Sequence, residues 1–471
     1  MAGGLALVSC NIFLRIRYQA VLKLWRIVMR SLLALIVTML SVCTSLADER
    51  PQFWTDGFNA VNAQADKYLK APNKKNPHWH VHPSSMYKGV YLWDSAFISL
   101  IWKHKNAFVA EEIIRSVLHN QQPDGRVPHV KSILGGVSKW TQPPLLSWAA
   151  ADILTKTQNP KFAADIYGKL RKYHQWLWKS RRASNGLFFW AHAYESGIDN
   201  SPRFGNRDES HYNDTTKIGA VDFSSYLVID SESLIQIARF MLDHNIGDKA
   251  LLEDDIRALK IHADQTSQAI NNLLWNEQDG IYYDLDLPTG KQIKISTVAS
   301  FFPLTAGVAS KEQYLRLRTL AVDPKKYNTR FPFPTVAHDD PTFEKDMWRG
   351  AVWINTSFLA IRGFKRYGDI ALVKHFSQNL IDSVYRTWVN KGTFFEFYDP
   401  DRYDFKEVTR KEGLGLNLGF VHLSGSKKPG EILKHLFLKQ LLLGQKPVGK
   451  FVGWTGLVNT LAIEELGFKA D

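Results

Sequence analysis

A long succession of helical patterns joined by short loops constrains the fold of this chain more than any other feature. Apolar spacing and turn residues predict helices over 55–70, 93–104, 106–120, 143–156, 160–180, 222–245, 249–274, 310–321, 349–366, 370–388 and 453–466. Asn159 and Pro160 place a capping side chain and then a proline at one helix start. Gly247 with Asp248 ends one helix and caps the next. Such tight junctions make neighbouring helices antiparallel, which favours an all-α architecture.

Strand patterns are few, and they predict a single minor β-hairpin. Its two strands would cover 281–286 and 291–295, with turn residues between them. About eleven or twelve paired helices, with candidate functional loops at alternate junctions, predict a toroid of two concentric helix rings. One end of such a toroid is a natural pocket. No Pro-rich or Ser-rich linker divides the rest of the chain, so we expect one domain over 48–471.

The segment 1–47 predicts a leader rather than part of the folded domain. It contains five basic residues and no acidic residue. From Met29 onward, a basic residue, an apolar run over 32–42 and small residues up to Ala47 follow the layout of a secretory signal peptide. We expect 1–28 to be an upstream extension and cleavage to follow Ala47, which predicts a periplasmic or secreted protein. The alternative is an uncleaved anchor that keeps the protein near a membrane, although the apolar run is short for a span.

The composition beyond the leader excludes some kinds of chemistry. Both cysteines, Cys10 and Cys43, lie in the leader, so the domain needs neither disulfides nor thiol chemistry. The formal net charge of +13 loses the five leader cations and becomes +8. That balance suits an anionic substrate and does not require nucleic acid. The sequence contains no phosphate-cradling glycine loop, no Gly-x-Ser-x-Gly turn and no dinucleotide fingerprint.

Carboxylates in two separate aromatic loops are the strongest candidates for catalysis. Glu195 and Asp199 stand four residues apart in a loop stiffened by proline, and Glu396 stands among aromatic residues before another proline. A carboxyl group packed among rings is desolvated, which raises its pKa and lets it carry a proton at neutral pH. Glycoside hydrolysis needs one carboxyl to protonate the departing oxygen and a second to activate water or to attack. The alternative is a pair of solvated loops whose acids cap helices or pair with basic neighbours.

Flat aromatic rings stand beside hydrogen-bonding side chains in several other loops, as they do where a protein grips a sugar. The residues that form these combinations are Tyr91, Trp93, Asp94, Trp140, Gln142, Trp348 and Arg349. One combination alone would be consistent with ordinary packing. Together they favour a carbohydrate site.

Two further patterns favour structural roles. His78, His80 and His82 alternate along one predicted strand face, where they could bind a metal. Because the domain has no cysteine and no carboxylate is close by in sequence, we expect no metal and no other cofactor. A lysine-rich apolar segment over 425–450 predicts a core helix with a solvated lysine face, or else a helix lying on a membrane.

The candidate loops occur in an order that resembles a known family. The ordered motifs are Trp93-Asp94-Ser95, Gln142-Pro143-Pro144, the run from Glu195 to Arg203, Trp348-Arg349-Gly350 and Glu396-Phe397-Tyr398-Asp399-Pro400. Over about residues 85–465 the chain is similar to glycoside hydrolase family 63 and its trehalase relatives, above all the mannosylglycerate-hydrolase type. The resemblance implies an (α/α)6 barrel and inverting hydrolysis of an α-glycosidic bond.

The resemblance also implies roles for single residues. Asp199 matches the family's general acid and Glu396 its general base. The positions that match the family's sugar subsite are Trp93, Asp94, Gln142, Trp348 and Arg349. Further residues expected to bind substrate are Tyr91, Glu195, Asn200 and Tyr398. Of these, Glu195 is also a candidate organiser of its loop. Tyr194 and Phe204 depart from the family by standing where tryptophans are expected beside the acid, so substrate preference is expected to differ there.

We therefore expect an inverting α-glycosidase that acts on a small α-glucoside or α-mannoside, with a glycosylglycerate among the candidates. A trehalase-type disaccharide hydrolase is the alternative within the same chemistry. Two alternatives come from other classes of protein. One is a toroid lyase that cleaves an anionic polysaccharide, which the basic charge favours slightly. The other is a protein that binds sugar without cleaving it.

Overall fold

Helices alternate with loops through the part of the chain that the structure describes. This computed structural model describes residues 50–132, 136–205, 214–410 and 446–469, with Trp25, Met29 and Ser31. The chain divides into Met1–Gln52 and a compact unit, Phe53–Asp471. The predicted leader cleavage site lies outside the described residues, as does the predicted lysine-rich segment before residue 446. In the described part, no helix combines the length and the apolar character that crossing a bilayer requires.

The observed helices agree with the predicted ones in place and type. In chain order they are α1 (Gln52–Tyr68), α2 (Leu92–Lys105), α3 (Ala107–Leu118), α4 (Leu146–Thr157), α5 (Pro160–Ser180), α6 (Ala193–Ser196), α7 (Val221–Asp243), α8 (Lys249–Leu273), α9 (Phe302–Thr305), α10 (Lys311–Val322), α11 (Ile354–Arg366), α12 (Ile370–Lys391) and α13 (Leu457–Leu466). The short helices α6 and α9 were not predicted, because one turn shows no apolar period. The predicted start of α11 is wrong: Met347–Arg349 form a 3-10 turn and Gly350 has a φ of 156°, so the helix begins later.

The capping residues act as the sequence predicts. Asn159 accepts hydrogen bonds from the backbone N–H groups of Lys161 and Phe162 at the start of α5. Asp248 does the same for the first turn of α8, directly after Gly247, which has a φ of 79°. These caps satisfy donors that have no partner inside the helix. They fix the tight turns between successive helices.

Short antiparallel strands decorate the loops between helices. They are β1 (Leu69–Lys70), β2 (His80–Val81), β3 (Gly89–Tyr91), β4 (Val130–Ser132), β5 (Ile218–Gly219), β6 (Trp275–Asn276), β7 (Ile281–Tyr282), β8 (Asp284–Asp286) and β9 (Lys291–Ile293). The predicted hairpin is present as β8 and β9, with Leu285 opposite Gln292. The prediction of one continuous first strand is wrong, because β7 pairs with β6 instead. Two-residue strands such as these lack the alternation that identifies a strand in a sequence.

Burial separates the helices into two sets that alternate along the chain. The inner set, α2, α4, α7, α9, α11 and α13, is buried on nearly every face. The outer set, α1, α3, α5, α8, α10 and α12, buries one face and leaves another to solvent. In α8, for example, Leu252 and Leu259 are buried while Ile261 is 54% exposed. A helix that is apolar all round belongs in a core, whereas an amphipathic helix covers one.

The inner helices form a closed ring of contacts. α2 contacts α4, α4 contacts α7, α7 contacts α9, α9 contacts α11, α11 contacts α13, and α13 returns to α2. An outer helix follows each of the first five inner helices and carries the chain back, so the inner helices run in the same direction. Their N-terminal ends therefore share one end of the ring. The loops that lead into inner helices carry the candidate site residues.

Candidate active site

Tryptophans from three loops meet at the N-terminal end of the inner helices. Trp93 opens α2, Trp348 lies in the turn before α11, and Trp454 precedes α13. The ring centroid of Trp93 is 6.1 Å from that of Trp348 and 5.8 Å from that of Trp454. Trp348 also stacks on Trp353 at 3.5 Å. We call Trp93, Trp348, Trp353 and Trp454 the tryptophan cluster. Two predicted sugar-binding residues, Trp93 and Trp348, are thus brought together.

The loop that carries Asp199 packs directly against this cluster. Gly197 has a φ of 71°, in the left-handed region that favours glycine. A Cβ at this position would lie 2.4 Å from Cζ2 of Trp93. The absence of a side chain therefore lets the backbone touch the indole ring. Asp199 follows two residues later and is half-buried.

Asn200 ties the same loop to the turn before α11. Its Oδ1 accepts the N–H of Trp348 at 2.9 Å, and its Nδ2 donates to Asp346 Oδ2 at 3.3 Å. Its backbone oxygen accepts Nη1 of Arg349 at 3.3 Å. The residue is 0% exposed. Both amide atoms of Asn200 thus bond within the protein and join the two loops, and its predicted substrate contact stays a prediction.

Glu195 also holds the loop, through four hydrogen bonds to its carboxylate. Arg181 Nη2 and Nε donate to its Oε1 and Oε2 at 2.7 and 2.9 Å. The backbone N–H groups of Thr141 and Ala191 supply two further bonds, at 3.2 and 2.9 Å. The carboxylate is 0% exposed and accepts four hydrogen bonds, which is as many as its two oxygens can accept. These bonds are those of a loop organiser, the second role expected for Glu195, and its predicted substrate contact stays a prediction.

Arg203 anchors the far end of the loop in a buried ionic cluster. Its Nη2 donates to Asp222 Oδ2 at 2.5 Å and its Nη1 to Asp284 Oδ2 at 3.2 Å. Burial raises the pKa of Asp284, and the guanidinium opposes that rise. Indole Nε1 of Trp190 donates to Asp222 as well, at 3.1 Å. The loop is thus held at Glu195, Asn200 and Arg203, on both sides of Asp199.

A stack of half-buried rings lies beside the loop that carries Asp199, which we call the acid loop. Trp140 stacks on His192 with a centroid distance of 4.8 Å, and His192 stacks on Tyr194 at 4.9 Å. Nζ of Lys139 lies 4.5 Å from the centroid of Trp140. Tyr194, one of the two departures from the family pattern, is therefore part of a continuous aromatic wall.

Glu396 lies in a second loop that contacts the tryptophan cluster. Its backbone oxygen accepts the indole N–H of Trp454 at 2.8 Å. Its Oε2 accepts the hydroxyl of Tyr87 at 3.0 Å, and its Oε1 forms an ion pair with Nη1 of Arg410. The residue is 1% exposed. Both predicted catalytic carboxylates thus lie in loops that contact the tryptophan cluster, one at Trp93 and Trp348 and the other at Trp454.

Three residues that contact Glu396 were not predicted from the sequence: Tyr87, Arg410 and Trp454. Trp454 has a sequence signal, because it stands just before an inner helix, as Trp93 and Trp353 stand at the starts of theirs. Tyr87 and Arg410 have no such signal, since each is defined by a partner more than a dozen residues away.

The pKa of Asp94, a predicted sugar-binding residue, departs far from its ordinary value. It lies in the first turn of α2 and is 5% exposed. Burial raises its pKa to about 7, although backbone hydrogen bonding opposes the rise. The favourable helix dipole at this position is therefore outweighed by desolvation. Near neutral pH the group can donate or accept a hydrogen bond, which suits a sugar hydroxyl.

Tyr91 and Gln142 flank Asp94 and Trp93. Burial raises the pKa of the Tyr91 phenol, so this group stays neutral and able to donate. Gln142 Oε1 accepts the backbone N–H of Trp93 at 3.2 Å. Since that oxygen is used inside the protein, the NH2 group of Gln142 is the part suited to a sugar. The structure places both predicted residues next to the cluster.

Tyr398 and Arg349 have other surroundings than expected. Tyr398 is 1% exposed, stacks on Phe331 at 5.0 Å, and accepts the N–H of Phe395 at 3.2 Å. Tyr398 packs in the core, and its predicted substrate contact stays a prediction. Arg349 pairs with Glu344 at 3.1 Å and bonds Asn200, so it joins the acid loop to the turn before α11.

The three histidines do not converge on one point. His78 turns to Glu112, with Nδ1 3.1 Å from Oε2, while His80 and His82 have ring centroids 5.6 Å apart. Burial lowers the pKa of His82 to about 4, so it is neutral at physiological pH. Within the described residues, no group of three or more His, Cys, Asp or Glu side chains could hold a metal ion.

Comparison with known proteins identifies the family. The model of the mannosylglycerate hydrolase MGH1-like glycoside hydrolase domain matches residues 87–410. The chain belongs to this family. It is a glycoside hydrolase, an enzyme that cleaves O-glycosyl bonds, and the resemblance found in the sequence is confirmed. The alternatives of a lyase and of a binding protein without activity are set aside.

Individual relatives agree with this assignment. A mannosylglycerate hydrolase of Thermus thermophilus is 27% identical over 380 residues, which are 67% of this chain and 89% of that protein. The crystal structure of the family 63 mannosylglycerate hydrolase from a second strain of Thermus thermophilus, with Tris and D-glycerate, has a TM-score of 0.61 at 23% identity, covering 74% of this chain and 96% of that one. The crystal structure of the same enzyme with glucose has a TM-score of 0.62 at 24% identity. The alignment covers 73% of this chain and 94% of that one.

A more distant likeness concerns neutral trehalase from Saccharomyces cerevisiae. Its TM-score is 0.58 at 15% identity, with 84% of this chain and 76% of that one covered. These likenesses confirm the predicted fold as the mostly helical fold that these hydrolases share. They do not choose between their substrates.

Proposed function

We propose that this glycoside hydrolase is an inverting α-glycosidase in which Asp199 is the general acid and Glu396 the general base. The observation that carries the proposal is the shared cluster: Gly197 touches Trp93, and Trp454 donates to the backbone oxygen of Glu396. The two loops that carry the carboxyl groups thereby border one aromatic surface. Inversion needs such a pair, with room between them for a water molecule.

The surroundings of the two groups support this division of roles. Glu396 is paired with the guanidinium of Arg410, which favours the ionised carboxylate, the form that can take a proton from water. Asp199 lies on the half-buried acid loop beside the ring stack of Trp140, His192 and Tyr194. A group there can protonate a departing oxygen as the aglycone leaves along the stack.

For the architecture, we propose that the closed ring of inner helices and the covering outer helices form the (α/α)6 barrel. The contacts of α13 with α2 support closure. In this arrangement the pocket lies at the N-terminal ends of the inner helices. A small glycoside fits a pocket of this kind, because the tryptophan cluster offers flat apolar faces and Asp94 and Gln142 offer polar groups.

For the substrate, we propose a glycosylglycerate, either mannosyl or glucosyl. Relatives of this chain are mannosylglycerate hydrolases, and the formal charge of +8 beyond the leader suits an anionic glycerate. A panel of mannosylglycerate, glucosylglycerate, trehalose, kojibiose and nigerose tests this. Turnover restricted to trehalose would replace the proposal with the trehalase alternative.

The roles are tested with Asp199→Asn and Glu396→Gln. Each should lower kcat by about 10²–10⁴-fold, since proton transfer by a positioned side chain contributes that much. Asp369→Asn is the matched control: it lies at the cap of α12, where asparagine caps as well as aspartate. NMR of the first-formed anomer during wild-type turnover tests inversion. Near-normal kcat in either catalytic variant, or retention of configuration, would contradict the proposal.

For location, we propose that the protein is exported after cleavage behind Ala47. The basic, apolar and small-residue pattern of the leader supports this. Amino-terminal sequencing of the protein recovered from periplasm or medium should begin at Asp48. Recovery of the intact leader in the membrane fraction would instead support the anchor.

A further inference from the structure

Glu396, Tyr87 and Arg410 form a closed triangle of polar contacts. Arg410 Nη1 pairs with Glu396 Oε1, and Tyr87 donates its hydroxyl to Glu396 Oε2 at 3.0 Å. The third side joins Arg410 Nη2 to the hydroxyl oxygen of Tyr87 at 2.8 Å. The side chains of Arg410 and Glu396 are 7% and 1% exposed. Arg410 and Glu396 are thus buried, and Tyr87 bonds both of them.

The third side of the triangle fixes the direction of the tyrosine hydrogen bond. A guanidinium can only donate, so the Tyr87 oxygen must accept from Arg410. The single hydroxyl hydrogen of Tyr87 then points at Glu396. Arg410 therefore acts on the carboxylate twice, once directly through Oε1 and once through the orientation of Tyr87.

The triangle also distinguishes the two oxygens of Glu396. Oε1 is shielded from solvent and covered by Arg410. From the residues that the structure describes, Oε2 accepts one hydrogen bond, that of Tyr87, and a carboxylate oxygen can accept two. Oε2 is thus the oxygen that can receive a water molecule. Its position depends on the rotamer that Arg410 and Tyr87 impose.

We propose that Arg410 is a positioning residue for the general base. It keeps the carboxylate of Glu396 ionised, holds Oε1 away from the water, and aims Tyr87 at Oε2, which takes the proton. Arg410 acts through Glu396 and does not touch the sugar. This inference rests on the proposed function, because it assumes that Glu396 is the base.

The test compares kcat and KM of Arg410→Met and Arg410→Lys with wild type on the best glycoside of the panel. Arg410→Met should lower kcat by about 10²-fold, because a displacement of the Glu396 carboxylate near 1 Å has an effect of that size. KM should stay within about threefold of the wild-type value, because the contacts with the substrate are intact. Arg410→Lys should recover about tenfold of that loss, since an ammonium can pair with Oε1 but lacks the planar fork that reaches Tyr87 as well.

Arg362→Met is the matched control for loss of a buried arginine. Arg362 is 16% exposed at the side chain and pairs with Glu464 at 2.6 Å. It lies nine residues after Trp353 in α11, about 13 Å along the helix axis. This variant should lose stability in urea as Arg410→Met does, but keep wild-type kcat. The comparison separates positioning from general destabilisation.

Each other outcome overturns the inference. A kcat within about threefold of wild type in Arg410→Met, or a raised KM with unchanged kcat, would show that the residue does not act through the base. Equal kcat losses in Arg410→Met and Arg362→Met would make the role merely structural. If Arg410→Met does not fold, Arg410→Lys decides: it must lower kcat by about tenfold at constant KM. A wild type that cleaves no glycoside refutes the proposed function itself, whereas an active wild type with an equally active Arg410→Met refutes only the positioning role.

Discussion

Replacing Gly197 with alanine should destabilise the protein and displace the proposed acid, because this glycine meets two separate requirements. Its φ of 71° lies in the left-handed region, where an added side chain costs about 1–2 kcal/mol. Its Cβ would also lie 2.4 Å from Trp93 Cζ2, and overpacking costs a further ~1–3 kcal/mol. The expected loss of unfolding free energy is therefore about 2–5 kcal/mol.

Gly392 supplies the matched control. It has a φ of 67°, and a Cβ there would meet no atom within 4 Å. Gly392→Ala should therefore lose only the backbone cost of about 1–2 kcal/mol in urea denaturation. Gly197→Ala should also lose about 10²-fold in kcat, since Asp199 lies two residues away and would shift, whereas Gly392→Ala should keep wild-type kcat. Equal destabilisation of the two variants, or unchanged kcat in Gly197→Ala, would refute the reasoning.

Two further predictions concern buried carboxyl groups. Asp94 has its pKa raised to about 7 in the folded protein, against about 3.9 when unfolded, so stability should fall as pH rises from about 4 to 7. Asp94→Asn should remove that slope in denaturation curves taken across this range, and an unchanged slope would contradict the burial argument. Arg181→Met would leave Glu195 buried without its bidentate partner and should cost about 3–5 kcal/mol of unfolding free energy. A loss below about 1 kcal/mol in urea would show that the carboxylate had found water instead.

The helices and their caps could be predicted from sequence because their signals are local. An apolar period of 3.6 residues and a capping side chain lie within one or two turns, as at Asn159 and Asp248. The exact start of α11 was missed where a 3-10 turn and Gly350 precede the helix. The hairpin was only partly predicted, because β7 and β8 bond to different partners.

The site was predictable as a set of loops but not as a set of contacts. Trp93, Trp348 and Glu396 come together because each belongs to a loop that leads into an inner helix. The partners of a site residue are not local in the sequence. Asn200 bonds Trp348 and Asp346, and Tyr398 stacks on Phe331. The pairing of Tyr87 with Glu396, 309 residues apart, depends on tertiary structure alone.

Closure of the ring has a consequence for how the protein is made. α13 packs on α2, and Asn459 of α13 donates to the backbone oxygen of Phe58 in α1, 401 residues earlier. At about 5–20 residues per second, the ribosome needs roughly 20–70 s to add the residues between α2 and α13. Throughout that time the apolar surface of α2 that α13 will cover has no partner. A chain stopped before Leu457 would thus be an aggregation-prone open ring rather than a smaller enzyme, and chaperones that hold nascent chains should associate with it until the last inner helix emerges.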